Sequence, residues 1–256
     1  MDTRSESRTA HLRFYEELND FLPAPLRRCD FDRTFTGRPA VKDLIESLGV
    51  PHTEIDVILV NGVSVGFGHH VEDGDRISVY PVFESLDVTP VQHLRPEPLR
   101  EVRFVLDGHL GKLARALRLL GFDAEYSREV QDHELIARSL AEKRIILTRD
   151  RGLLRTGAAT RGYWVRATDP REQAAEVLDR FDLRGSARPF TRCTVCNGDL
   201  VAVAREEAAL EAPPRVYERC DEYRRCARCG KLYWKGTHVA RLEAFVKWAI
   251  TGNADP

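Results

Sequence analysis

The chain has 256 residues, 43% of them hydrophobic and 31% charged, with a formal net charge of −1. This is the composition of a soluble globular protein, long enough for one large domain or two to three small ones. No apolar run approaches the ~20 residues of a membrane span, and the polar start MDTRSESRTA lacks the apolar centre of a secretory signal, so a cytoplasmic protein with no membrane partner is expected.

Charge is uneven along the chain. Residues 1–99 sum to −7, residues 100–188 to +4 and residues 189–256 to +2. An acidic front and a mildly basic rear predict separate modules, with any polyanion bound at the rear.

The first module covers 10–88. His11 to Tyr15 and Arg33 to Thr36 read as strands. Apolar residues at 41, 44, 45 and 48 have helical spacing, and Gly49 stops the helix. Ile55 to Val60 reads as a strand ending in the hairpin dipeptide Asn61-Gly62. A turn at Asp73-Gly74-Asp75 then leads into the strand Arg76 to Val82. His69 and His70 stand near Glu72, Asp73 and Asp75, but the spacing matches no dedicated metal pattern and reads as a solvated hairpin loop. The order β-β-α-β-β resembles a ubiquitin-like β-grasp domain of the ThiS and MoaD sulfur-carrier type. Those carriers work through a free Gly-Gly terminus, whereas this chain reads Pro81-Val82-Phe83-Glu84-Ser85 and continues. The resemblance therefore implies an accessory or docking role, with a possible protein partner. Proline-containing residues 89–101 read as a linker.

The middle module, 102–184, begins with the apolar run Phe104-Val105-Leu106, which stops on Asp107. A matching run, Ile145-Ile146-Leu147, stops on Thr148-Arg149-Asp150. Such runs, alternating with helical patterns, predict buried strands of a parallel βαβ sheet, whose ligands bind beyond the strands' carboxyl ends. Asp107 and Asp150 are both placed there, and two carboxylates sharing an edge invite a divalent cation. Gly108 permits a tight turn. Leu110, Leu113, Ala114, Leu117 and Leu120 then form the inner stripe of a helix ended by Gly121. Lys112, Arg115 and Arg118 recur on a neighbouring face and read either as a phosphate-holding row or as a solvated surface. Phe122 to Tyr126 is a second strand. Asp132 opens a helix to Ala141, with Leu135, Ile136 and Leu140 expected inward. Asp132 sits where an N-cap would, and Glu134 is its substitute as a ligand if Asp132 only caps. Tyr163 to Ala167 is a further strand. Asp169, Pro170 and Glu172 make a complete helix-start signal.

Three markers give this module a family resemblance: Asp107 ending the first strand, DHELIA from Asp132, and ILTRDRGLL from Ile146. They resemble the PIN-domain nucleases, and the run LDGHLGKLARALRLLGFD resembles more closely the PIN-like RNase family named after the C-terminal domain of the mut-seven exonuclease. The resemblance implies an α/β fold, a PIN-like parallel sheet flanked by helices. It also implies RNA phosphodiester hydrolysis at Asp107, Asp132 and Asp150 around Mg²⁺ or Mn²⁺. Lys112, Arg115 and Arg149 would hold phosphates. The family's usual fourth acid has no counterpart in Arg151 to Leu154, which leaves one or two metals open.

The rear module, 189–242, carries Cys193-Thr194-Val195-Cys196 and Cys226-Ala227-Arg228-Cys229. Two C-x₂-C knuckles predict a closed, structural Cys₄ zinc ribbon, with disulfides as the alternative. Cys220 is the remaining candidate ligand nearby, and Cys29 reads as a small buried side chain. The insert with Glu206, Glu207 and Glu211 reads as strands or loop. Tyr233 and Trp234 read either as base-stacking rings, with Lys235 and His238 reaching phosphate or a base edge, or as packing for the ribbon. A last helix, Arg241 to Ile250, is expected to bury Leu242, Phe245 and Ile250. The pattern CNG…CGKLYWKGTH also resembles the ribbon following that RNase module. Together these features point to a metal-dependent ribonuclease. The alternative is an inactive nucleic-acid-binding or adaptor protein of nuclease-like fold.

Overall fold

The computed structural model describes residues 7–81, 94, 102–236 and 239–252. The expected linker therefore lies, apart from Leu94, outside the described residues, as does His238. The chain divides into two compact units: residues 1–100 with 150–164, and residues 101–149 with 165–256.

The first unit opens with β1 (Ser7–Phe14), whose Ala10, Leu12 and Phe14 alternate inward and are at most 2% exposed. It pairs antiparallel with β2 (Phe31–Thr36). Helix α1 (Val41–Ser47) buries Val41, Leu44 and Ile45, as its spacing requires. Next come β3 (Ile55–Val60), β4 (Val63–Ser64) and β5 (Arg76–Pro81), giving the sheet order β2-β1-β5-β3-β4. β1 and β5, first and last, run parallel at its centre, the mark of a ubiquitin-like fold. Asn61 and Gly62, at φ 52° and 84°, make the two-residue turn between β3 and β4, where both positions need positive φ.

The loop acids of this unit serve the backbone. Asp75, 7% exposed, accepts from Asn61 Nδ2 at 2.8 Å and from the Glu72 amide, and Asp73 accepts from the Thr9 amide. The loop is not a hairpin, because β4 and β5, which it joins, lie on opposite sides of β3. Cys29 departs from expectation, being half-buried at the surface with its thiol toward the Pro25 carbonyl.

The second unit is built on β6 (Phe104–Leu106), fully buried between two parallel neighbours, β7 (Ala124–Tyr126) and β8 (Ile145–Thr148). Helix α2 (Gly111–Leu119) follows β6, and α3 (Asp132–Glu142) joins β7 to β8. The one-turn helix α4 (Arg151–Leu154) and the strand β9 (Gly162–Trp164) fall within the stretch that groups with the first unit. The strand expected to reach Ala167 stops at Trp164, where the chain returns to the second unit. Helix α5 (Pro170–Arg180) starts as expected, with Asp169 accepting from the amides of Arg171 and Glu172.

Two inward assignments change. Leu140 is 47% exposed, and Ser139 is the buried residue, its hydroxyl donating to the Arg144 carbonyl at 2.6 Å. Arg118 is 3% exposed and leaves the basic row.

The rear of this unit is an antiparallel sheet, β10 (Leu200–Val203), β11 (Tyr223–Cys226) and β12 (Leu232–Trp234), in that order. The acidic insert expected as strands or loop forms two one-turn helices instead, α6 (Arg205–Ala208) and α7 (Pro214–Tyr217). Ala208 and Ala212 anchor it on Tyr223. Helix α8 (Val239–Thr251) buries Val246 and Ala249. Leu242 is 40% exposed; α8 touches α5, where the Arg171 guanidinium lies over the Trp248 ring at 5.1 Å. No helix among the described residues is long and apolar enough to cross a membrane.

Candidate active site and metal centre

Asp107 stands at the carboxyl end of β6, half-buried. Its amide donates to the Leu147 carbonyl at 3.1 Å, and its Oδ2 accepts from Thr148 Oγ1 at 2.8 Å. The parallel register Leu106↔Leu147 places the two strand ends side by side. Thr148 is fully buried, so its hydroxyl holds the carboxylate at a fixed point. Sequence pattern alone did not single it out, although a hydroxyl at a strand end is the available signal. Gly108 is needed for a reason other than turn freedom: a Cβ there would meet the Arg128 carbonyl oxygen at 2.7 Å. Tyr126 closes the same turn by donating to the Gly108 carbonyl at 2.9 Å.

Asp132 does not cap α3, whereas Glu134 takes part in the cap. Gln131 is the N-cap of α3, and Glu134 completes the capping box through the Gln131 amide. Asp132 occupies the first helical position, exposed and outside the cap. Asp150 caps α4, its Oδ1 accepting from the Gly152 amide at 2.7 Å.

Lys112 and Arg115 are exposed on α2. Arg149 is exposed, but one of its nitrogens already donates to the carbonyls of Arg166 and Ala167. Glu176 on α5 holds the same loop, accepting from the amides of Arg166 at 2.8 Å and Ala167 at 2.9 Å. The helical pattern carried no sign of that role. Trp234 is partly buried against the cluster of Ala208, Ala212, Cys220 and Tyr223, while Tyr233 turns its hydroxyl to the first knuckle, 3.1 Å from Cys193 Sγ. Both rings pack the ribbon. Trp234 also borders a cleft of about 360 Å³ with Phe190, Arg192 and Lys235 on its walls.

The knuckles converge. The Sγ atoms of Cys193, Cys196, Cys226 and Cys229 all lie within 4.8 Å of one another, the one such set of possible ligands among the described residues; the expected acids Asp107, Asp132 and Asp150 do not form a second one. Tetrahedral sulfur at ~2.3 Å from zinc implies edges of ~3.8 Å. Cys193 to Cys229 is 3.8 Å and Cys196 to Cys226 is 3.3 Å, and all six cysteines are free of disulfides. Backbone amides of Cys196, Arg228 and Cys229 point at sulfur, each at 3.4 Å. Burial opposes ionisation of Cys193, but hydrogen bonds from Tyr233 and from the amides of Cys196 and Val195 bring the thiol down to about 6. Burial and the neighbouring cysteines push Cys196 up to about 12. Four sulfurs this close could all ionise only around a cation, and the set can hold zinc. Cys220 stands apart, donating to the Lys235 carbonyl.

A buried network ties the ribbon to the parallel sheet. Arg118 donates to the carbonyls of Ala124, Thr194 and Val195. Asn197, at φ 67°, bridges the Ala124 amide and the Asp123 carboxylate.

Comparison with known proteins gives two family matches, to the Mut7-C RNAse domain over residues 102–246 and to the Mut7-C ubiquitin domain over residues 7–87. The exonuclease mut-7 homolog of Homo sapiens is 36% identical over 108 residues, 40% of this chain. The chain spans only 12% of the length of that curated relative. No solved structure matches.

Proposed function

Because the chain belongs to the Mut7-C RNase domain family, we propose that it is a metal-dependent ribonuclease whose ion binds at Asp107, with Asp132 and Asp150 drawn in as further ligands when it does, since they do not meet as a ligand set without it. The principal support is Asp107, fixed by Thr148 at the end of the central parallel strand, where such sheets bind their ligands. Three carboxylates are hard oxygen donors suited to Mg²⁺ or Mn²⁺. With Glu134 engaged in capping, Asp132 is the better third ligand of the two. The bound metal supplies an acidified water and charge stabilisation at the phosphoryl oxygens. Lys112 and Arg115, exposed on the helix that follows Asp107, take the flanking phosphates. Arg149 orders the 166–167 loop through its carbonyls and offers its remaining donors to the backbone of RNA. The ribbon holds one structural zinc, and the face of Trp234 that borders the cleft, beyond its packing on the ribbon, is offered to a base, with His238 as the sequence-assigned partner for phosphate or a base edge.

The absence of any acid in Arg151–Leu154 favours a second reading, a nucleic-acid-binding or adaptor protein without turnover. Cleavage of single-stranded RNA with Mn²⁺ or Mg²⁺ separates the two. Wild type is expected to cut, and Asp107→Asn or Asp150→Asn to abolish cutting. Equal cleavage by the variants would place the chemistry elsewhere, and an inert wild type would support the second reading.

A further inference from the structure

His52, Thr53 and Glu54 form one 3-10 turn ahead of β3 and are only 7%, 1% and 0% exposed. Consecutive polar side chains are buried like this only when each finds a partner. All three reach the backbone of residues 150–164, inside the same compact unit. His52 Nε2 lies 2.6 Å from the Ala159 carbonyl oxygen, while Nδ1 is held 2.6 Å from Glu46 Oε1. Thr53 Oγ1 donates to the Leu154 carbonyl at 3.4 Å, and the Trp164 amide donates to Glu54 Oε1. Ring contacts close the seam. The Arg151 guanidinium lies 3.8 Å over the Trp164 ring, which packs on Phe21 with centroids 5.1 Å apart. The stretch is thus tied at its start, middle and end. It belongs to the sequence matched as nuclease, 102–246, yet the ubiquitin-like module is what holds it.

We infer that the ubiquitin-like module is a positioning device for this chain's own nuclease region, in which the His52–Glu54 turn holds residues 150–164 and through them Asp150. Asp150 sits on the amide of Gly152 at the start of α4, and Thr53 grips Leu154 at its end. Where α4 lies therefore decides where the carboxylate lies. His52, Thr53 and Glu54 are positioning residues. Their bearing on catalysis rests on the proposed nuclease reading, while their hold on the stretch does not.

The test uses the full chain as wild type, Glu54→Ala, Glu54→Gln and His52→Phe. Amide hydrogen exchange is read over residues 151–164, alongside the Mn²⁺ concentration for half-maximal RNA cleavage, kcat and KM. Glu54→Ala is expected to speed exchange across the stretch and to raise the Mn²⁺ requirement by about tenfold or more, with KM for RNA little changed. Glu54→Gln keeps an acceptor for the Trp164 amide and should restore both. His52→Phe keeps an aromatic ring but removes both ring nitrogens, follows Glu54→Ala in direction and decides the matter if Glu54→Ala does not fold. Wild-type exchange in His52→Phe or Glu54→Ala overturns the hold. Faster exchange with an unaltered Mn²⁺ requirement overturns the positioning of Asp150. A wild type that never cleaves sinks the nuclease reading alone, and exchange then decides the hold by itself.

Discussion

Asn197 concentrates several demands in one side chain. It is 5% exposed, takes a left-handed backbone that few residues tolerate, and bridges the Ala124 amide to Asp123. Asn197→Ala should cost about 2–4 kcal/mol, from two lost buried hydrogen bonds and a strained φ. Asn197→Gly should recover about 1 kcal/mol of that, since only the backbone part is relieved. Urea unfolding checks both, and equal losses would show that strain contributes nothing. Asp123 makes a pH prediction. Burial opposes its ionisation, but hydrogen bonds from Arg144 and Asn197 prevail and hold its pKa below the usual carboxylate range. A depressed folded value means stability that is complete above about pH 4 and is lost as pH falls through that lower value. Asp123→Asn should flatten the acid limb of a stability–pH curve, and an unchanged limb would assign it to other carboxylates.

Helix starts were among the most legible features at the scale of elements. Asp169 followed by Pro170 specified the start of α5, and the amides of Arg171 and Glu172 sit on its carboxylate. Asp169→Ala should cost about 1 kcal/mol, measured by thermal or urea unfolding. A cost near zero would mean that tertiary packing alone holds α5. The start of α3 at Asp132 was read correctly, but its cap was placed one residue late, because Asp is the commoner cap and glutamine seldom competes for the place. Capping turned on backbone geometry at Gln131, where extended φ and ψ put the side chain over the helix end. Strand runs such as Phe104–Leu106 and Ile145–Thr148 were plain, since a buried parallel strand is apolar on both faces. Leu140 and Leu242 show where periodicity loses force. A helix stripe says which residues are apolar and not which of them a neighbour covers: Ser139 is inside with its hydroxyl on the Arg144 carbonyl, and on α8 Val246 and Ala249 are buried while Leu242 is not.

For the whole molecule, the rear ribbon has few buried apolar side chains of its own, a cluster of Ala208, Ala212, Cys220 and Tyr223. A structural zinc contributes ~10–16 kcal/mol of apparent binding energy, which a core of this size cannot replace. Metal analysis should find one zinc per chain, lost in Cys193→Ser or Cys229→Ser. Chelation should open residues 189–236 to proteolysis while 7–81 resists. A metal-free chain that resists equally would end the zinc assignment.

By itself the sequence determined what rests on local chemistry: the two C-x₂-C pairs, the Asn61-Gly62 turn, the apolar runs of the buried strands, the acids that follow them and the family markers around them. Each of these is written in neighbouring residues, whose spacing and backbone preferences need no distant partner. Tertiary structure alone decided that Arg118 turns inward to the knuckle carbonyls, that Thr148 holds Asp107, and that residues 150–164 group with the ubiquitin-like module. Those outcomes depend on buried polar groups finding partners across tens of residues. A lone Thr, His or Glu in a sequence does not say which backbone amide or carbonyl will satisfy it.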